Sequence, residues 1–346
     1  MTLATAGKPP LQPSTRYWKN WKRNAVGVLI SVACLGFIAW RIDLDEFINA
    51  IAHFQWGWLL FGLVSLSFGY VMRIVRWSSL LRAAGAHVPP SRCAAPFLGS
   101  IALNNILPMR LGDVVRALVF PSAIGIGRIT ATGSLVMERL VDLMTLLTCL
   151  MVGLALTSKA QLPEWLVGTA VGLAISGSAV LILFFLFSGW LSRWVGRWAH
   201  KAPYPKRERM LLALKDLLLG IDAMSRLPVL FSLFVLSMLV WAGEAGLYWG
   251  LLWGFGLEVG AGAALVVMAI ATLATLVPSS PGYVGPFHLA AFSAVIMLGG
   301  TPAQAASFAV LAHLGVWLPT TIAGALAILF NPKLFGRAKA MAGQES

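Results

Sequence analysis

Long apolar runs separated by short polar segments set the pattern of this chain. A helix needs about 20 predominantly apolar residues to cross a bilayer core. Six runs meet or approach that length: about Ala25 to Trp40, Trp56 to Met72, Ile129 to Thr157, Trp165 to Trp190, Val229 to Trp253 and Ala303 to Phe330. They predict six full transmembrane helices. Two further apolar segments are interrupted. Arg92 to Phe120 is broken at Asn104-Asn105 and Pro108, and Ala261 to Leu298 is broken by Pro278-Ser279-Ser280-Pro281-Gly282-Tyr283-Val284-Gly285-Pro286. The pieces beside each break are about 13–16 residues, roughly 20–24 Å of helix, too short to cross comfortably. Re-entrant hairpins over 92–120 and 261–298 are the natural reading. Between Pro205 and Arg226 the pattern changes. Met210, Leu211, Leu214, Leu217, Leu218 and Ile221 recur at helical spacing among polar positions, which predicts an amphipathic helix on the cytoplasmic surface, against lipid or against the protein's own inner face.

Both halves read span, span, broken segment, span, in opposite orientation. The division is a basic tail over 1–23, a first membrane half over 24–160, a second over 161–330 and a C-terminal tail over 331–346. An inverted repeat with interrupted helices in matching positions points to alternating access, with the site where the breaks meet. The chain is thus expected to be an all-α polytopic membrane protein.

Composition and charge sharpen the picture. Only 11% of the 346 residues are charged and 58% are hydrophobic, too little charge to cover a soluble surface. The net charge of +13 comes from bases flanking the apolar runs, such as Arg73, Arg76 and Arg82, and Arg193, Arg197, Lys201, Lys206 and Arg207. That placement marks cytoplasmic loops and puts both termini in the cytoplasm, with Asp43, Asp45, Glu46 and Glu258 outside. No basic domain stands clear of the membrane, so nucleic acid is not an expected partner. Three cysteines without CxxC spacing exclude a disulfide framework and a zinc site.

The candidate chemistry lies at the breaks and inside the spans. Pro108 suits the first position of the second half-helix of hairpin 92–120, whose N–H groups then face the membrane interior. Arg110, Asp113 and Arg116 follow at i, i+3 and i+6, so they share a face. Two guanidiniums beside a helix N-terminus would seat a phosphate. Asp113 would orient one of them, or the charges form a structural ion pair that closes the hairpin. Asn104 and Asn105 offer uncharged hydrogen bonds at the tip. Glu138, Arg139 and Asp142 lie about 15–21 Å deep at ~1.5 Å per residue. They read equally as a proton-coupling cluster or as neutralising partners for Arg110 and Arg116. Glu244 is a further coupling candidate without a sequence-local partner, and His288 titrates in the right range. Ser279, Ser280, Gly282, Tyr283 and Gly285 supply hydroxyls, a phenol and exposed N–H groups at the second break. Arg73 and Arg76 either snorkel at the interface or lead a lipid phosphate into the cavity.

Arg73-x-x-Arg76-Trp77, the stretch from Asn105 through Pro108, Arg110, Gly112 and Asp113 to Arg116, Glu138-Arg139-x-x-Asp142 and the Pro281-Gly282-Tyr283-Val284-Gly285 turn resemble the flippase-like membrane domain of lysylphosphatidylglycerol synthases. Stand-alone relatives of that domain include hopanoid-associated and polyprenyl-lipid-associated membrane proteins. The resemblance runs from about Val26 to Phe330. It implies a lipid translocase fold with paired re-entrant hairpins. The chain ends soon after its last span, where the family's synthase half would follow, so aminoacyl transfer is not expected.

The leading expectation is a flippase in the cytoplasmic membrane for a lipid with a phosphate-bearing headgroup. Arg110 and Arg116 would hold the phosphate, and rocking of one half against the other would change access, with protons as the coupling ion. The alternatives are a membrane enzyme acting on a lipid phosphate, or a non-transporting partner of a lipid-biosynthetic enzyme. No GxxxxGK[ST], HExxH or Asp-rich motif occurs, so no catalytic residue, metal or cofactor is expected.

Overall fold

In the computed structural model of the chain, residues 16–157, 164–199, 204–277 and 279–336 are described. Most of the two tails, Lys201 and Pro278 lie outside them. The described residues are helical, with no strand among them. Five helices are long and apolar enough to cross a membrane: α3 (Trp56–Ala83), α7 (Arg128–Leu156), α8 (Glu164–Ala199), α10 (Leu227–Gly254) and α13 (Pro302–Leu329). The first predicted span is different. α1 (Arg16–Trp40) has its apolar part at Val26–Trp40, about 22 Å at ~1.5 Å per residue. It reaches a sixth span only together with α2 (Leu44–Ala52), from which it is bent by 87°. The acidic loop after Trp40 is therefore mostly helix. Asp43 caps α2 by accepting from the N–H of Asp45 at 2.8 Å, and the short helix packs on α13.

Both broken segments fold as helical hairpins. α4 (Pro90–Ile106) starts on a proline at its first position and stops before Pro108, which holds Leu107 extended at φ −92°, ψ 144°. A 3₁₀ turn over Pro108–Arg110 leads into α5 (Leu111–Leu118). Pro108 thus opens the turn and not the second half-helix, because Met109 and Arg110 take left-handed conformations (φ 61° and 53°) that no helix contains. A four-residue helix, α6 (Pro121–Ile124), follows before α7. Gly112 lets the arms close: a Cβ there would strike the carbonyl oxygen of Ser100. The second hairpin joins α11 (Ala261–Ala274) to α12 (Pro286–Met297) through a matching 3₁₀ turn, Pro281–Tyr283. Here Gly282 and Tyr283 are left-handed (φ 75° and 62°).

The contacts repeat across the two halves. α3 and α10 cross antiparallel along a seam of small residues. A Cβ on Gly243 would lie 2.6 Å from the Cα of Gly69, and one on Gly62 3.0 Å from the Cα of Leu247. The first arm of each hairpin packs on the closing span of the other half, α4 on α13 and α11 on α7. The second arms stay with their own half, α5 on α7 and α12 on α13. α2 sits on α13 as α9 (Pro205–Met224) sits on α7. α9 buries Leu218, Ile221 and Met224 against the protein and leaves Met210, Leu214 and Leu219 exposed. Its polar side is used as well, since Asp222 accepts from Ser188 of α8 at 3.2 Å. Packing on the protein's own face is the reading that the helix follows over its buried part.

Candidate functional site

The hairpin tips meet at the centre of the molecule. Asn105 donates to Thr321 Oγ1 (2.9 Å) and Thr320 Oγ1 (3.1 Å) of α13, and its carbonyl accepts from Trp317 Nε1 at 3.3 Å. Asn104 is bonded both ways to Asp113, donating to Oδ1 at 2.9 Å and accepting the Asp113 N–H at 3.0 Å. Both asparagines therefore pin the first tip, one to its own second arm and one to the far half. Ser31 of α1 does this for the second tip. Its hydroxyl lies 2.7 Å from the carbonyl of Val284 and accepts the Ser280 N–H at 3.0 Å. Gly285 (φ 102°) lets α1 pass, since a Cβ there would come 2.6 Å from the Cα of Ser31. Ser279 adds the backbone against which Gly27 packs.

The intramembrane charges resolve into pairs. Arg116, buried, bonds Glu138 at 2.9 Å, with its guanidinium near the Trp77 and Phe97 rings at 5.2 and 4.9 Å. Arg76, fully buried, bonds Asp142 at 2.5 Å and Ser237 at 2.7 Å. Arg139 bonds both oxygens of Asp113 and lies within 4 Å of Glu138 and Asp142. Arg73 bonds Glu244 at 2.5 Å between the rings of Tyr70 and Trp241. Four arginines thus share four carboxylates. The odd one is Arg110. It reaches Thr275 Oγ1 at 3.3 Å and stands over the Tyr283 ring at 5.3 Å, and among the described residues no carboxylate lies within salt-bridge distance of it.

Arg110 and Arg116 consequently do not share a face. The left-handed backbone at Met109 and Arg110 breaks the helical spacing that would have aligned them, sending Arg110 across to the second hairpin and leaving Arg116 in the core. Of the two readings of Glu138 and Asp142, the geometry is that of neutralising partners, for Arg116 and Arg76 rather than for Arg110. Asp113 orients Arg139, not a neighbour on its own helix.

Three connected cavities surround the tips. A chamber of about 160 Å³ is walled by Arg110, Arg139, Glu244, Tyr70, Tyr283 and Trp317, among others. A cavity of about 530 Å³ opens from Arg110 toward α1 along Asn104, Ser279, Ser280 and Gly282. A third, about 620 Å³ and mostly apolar, runs from Asn105 and Gly282 past His288 and His313 to Leu314. Sequence reasoning found the charged residues and His288. It missed Tyr70, Tyr248, Ser31, Trp317 and His313, which sit in uninterrupted apolar runs.

A positional match between the halves would have exposed one of them, His313. Arg73 and Glu244 each stand seventeen residues after the first residue of their helix, Trp56 and Leu227. Arg110 and Tyr283 each end their 3₁₀ turn. Arg139 and His313 each stand eleven residues after Arg128 and Pro302. Two of these matched pairs touch: Arg73 bonds Glu244, and Arg110 stands over the Tyr283 ring.

The comparisons with known proteins agree with this architecture. The family described as the lysylphosphatidylglycerol synthase TM region matches residues 24–324. No curated protein and no solved structure matches the chain. With most of its length covered by that match, the chain belongs to the family of lysylphosphatidylglycerol synthase transmembrane regions.

Proposed function

We propose that the chain is a translocase for a lipid with a phosphate-bearing headgroup, working in the cytoplasmic membrane with both termini inside. The observation that carries this reading is Arg110, a cation without a carboxylate, held where the two hairpin tips meet and open to a cavity of about 530 Å³. An uncompensated cation at membrane depth is costly, and a phosphate is the group that would compensate it. The headgroup would sit between the tips while the tails lie along apolar surface, such as the side lined by Val310 and Leu314. The family points to a lipid-related membrane function, and the hairpins are then re-entrant, one from each leaflet. The orientation rests on charge. Arg82, Arg128, Arg193 and Lys333 lie at the ends of helices on one side, and Asp45, Glu46 and Glu258 belong to the other.

Access would change by shifts of the tips rather than by rocking of the sequence halves, because each hairpin grips both halves. The test uses proteoliposomes with a panel of headgroup-labelled phospholipids. Movement without chemical change, abolished in Arg110→Ala, supports the reading. A new product would instead identify a membrane enzyme. Normal movement by Arg110→Ala, or inert liposomes across the panel, would count against translocation by this seat.

A further inference from the structure

The four intramembrane carboxylates are each matched to an arginine: Asp113 to Arg139, Glu138 to Arg116, Asp142 to Arg76 and Glu244 to Arg73. The chamber wall has another titratable group without such a partner, His313. Its ring stacks on His288 of α12 with 4.7 Å between centroids and 30° between planes. Phe287 meets it edge-on at 5.5 Å. His288 is held to the second turn, with Nδ1 within 3.5 Å of the Gly285 N–H. His313 borders both the chamber that holds Arg110 and the lateral cavity.

We infer that His313 and His288 form a one-proton site linked to headgroup binding at Arg110, an inference that rests on the translocase reading above. Two imidazoles this close cannot both be charged cheaply, so the pair takes a single proton from water onto a ring nitrogen. The other charged or titratable groups facing His313 are Glu244 and Tyr248 from α10, Tyr70 from α3, Arg139 from α7, and Arg110 and Tyr283 from the turns. α4 and α11 present Asn105 and Thr272, which do not titrate. Glu244 is offset by Arg73 and Arg139 by Asp113, which leaves Arg110 as the chamber's cation without a carboxylate. A phosphate held by Arg110 brings anionic charge into the chamber that His313 borders, which favours the proton. Anion and proton then promote each other's binding by the same factor. The repeat shows the same logic. At matching places, one half carries the permanent, fully paired charge of Arg139 and the other a charge that switches.

The full chain in detergent, with dihexanoylphosphatidylglycerol as probe, tests this. Affinity is measured by calorimetry between pH 5 and 8, and proton uptake by an indicator dye in weak buffer. Wild type should take up protons with the lipid, and its affinity should fall as pH rises, by at most about tenfold per pH unit for one linked proton. The double variant His313→Gln/His288→Gln should bind without uptake and with an affinity flat in pH, whereas each single variant keeps one imidazole and one linked proton. Uptake retained in the double variant, or lipid binding by wild type without uptake, overturns the inference while leaving the phosphate seat standing. Binding unchanged in Arg110→Ala overturns the seat itself, and with it the linkage. Should the double glutamine variant fail to fold, His313→Asn/His288→Asn is read by the same criteria.

Discussion

Removing Arg116 and removing Arg110 should have opposite consequences, because one is paired and buried and the other is not. Arg116→Ala strands the Glu138 carboxylate in the core, a change that typically costs about 3–5 kcal/mol. The thermal midpoint in detergent should drop clearly. Arg110→Ala removes a cation that no carboxylate needs, so the midpoint should stay within about 0.5 kcal/mol of wild type while transport is lost. Equal loss of stability in both variants would contradict the assignment of Arg110 as the odd charge. The residues themselves were legible in the sequence, since charge inside an apolar run always stands out. Their partners were not. Arg76 meets Asp142 and Arg73 meets Glu244 across helices far apart in the chain, and two left-handed residues after Pro108 turned Arg110 away from Arg116. Local spacing holds no record of either.

At the scale of the element, glycine decides how near two helices come. Gly243→Leu should force α3 from α10, because its side chain would occupy the place of the Gly69 backbone, and overpacking of this kind costs ~1–3 kcal/mol or more. Gly172→Leu on α8 is the control, for nothing lies within 4 Å of a Cβ there. Thermal unfolding of the pair should separate them, and equal midpoints would mean that the seam is not tight. The long spans and both hairpins were readable from hydropathy, because lipid accepts only long apolar helices and a proline-bounded run of half that length has to turn back. α2 was not readable, since nine residues with two acids in the first turn look like a loop until their packing on α13 is known. α1 was read as a plain span because its apolar run is continuous to Trp40, and the bend lies beyond it, where α2 turns to pack on α13.

For the molecule as a whole, the matching places of Arg73 and Glu244 in α3 and α10 make a further prediction. Arg73→Glu alone or Glu244→Arg alone places like charges together and should cost about 3–5 kcal/mol. The double exchange restores an ion pair between two equivalent places and should recover most of that loss, read again as a thermal midpoint. A double variant no better than the singles would show that the two places are not equivalent. His313 belongs to this scale too: nothing in its own span singles it out, and only its place in α13, counted from the helix start, matches it with Arg139 in α7. The exchange of first arms between the halves has a consequence for how the protein is made. α4 emerges early but its packing partner α13 is synthesised about two hundred residues later. At ~5–20 residues per second the first hairpin waits roughly 10–45 s in the bilayer without its seat. A nascent chain stalled before Pro302 therefore carries an undocked hairpin with its Asn105 unsatisfied, a natural mark for a membrane chaperone or protease to read, and separately expressed halves should be stable only when they meet in the same membrane.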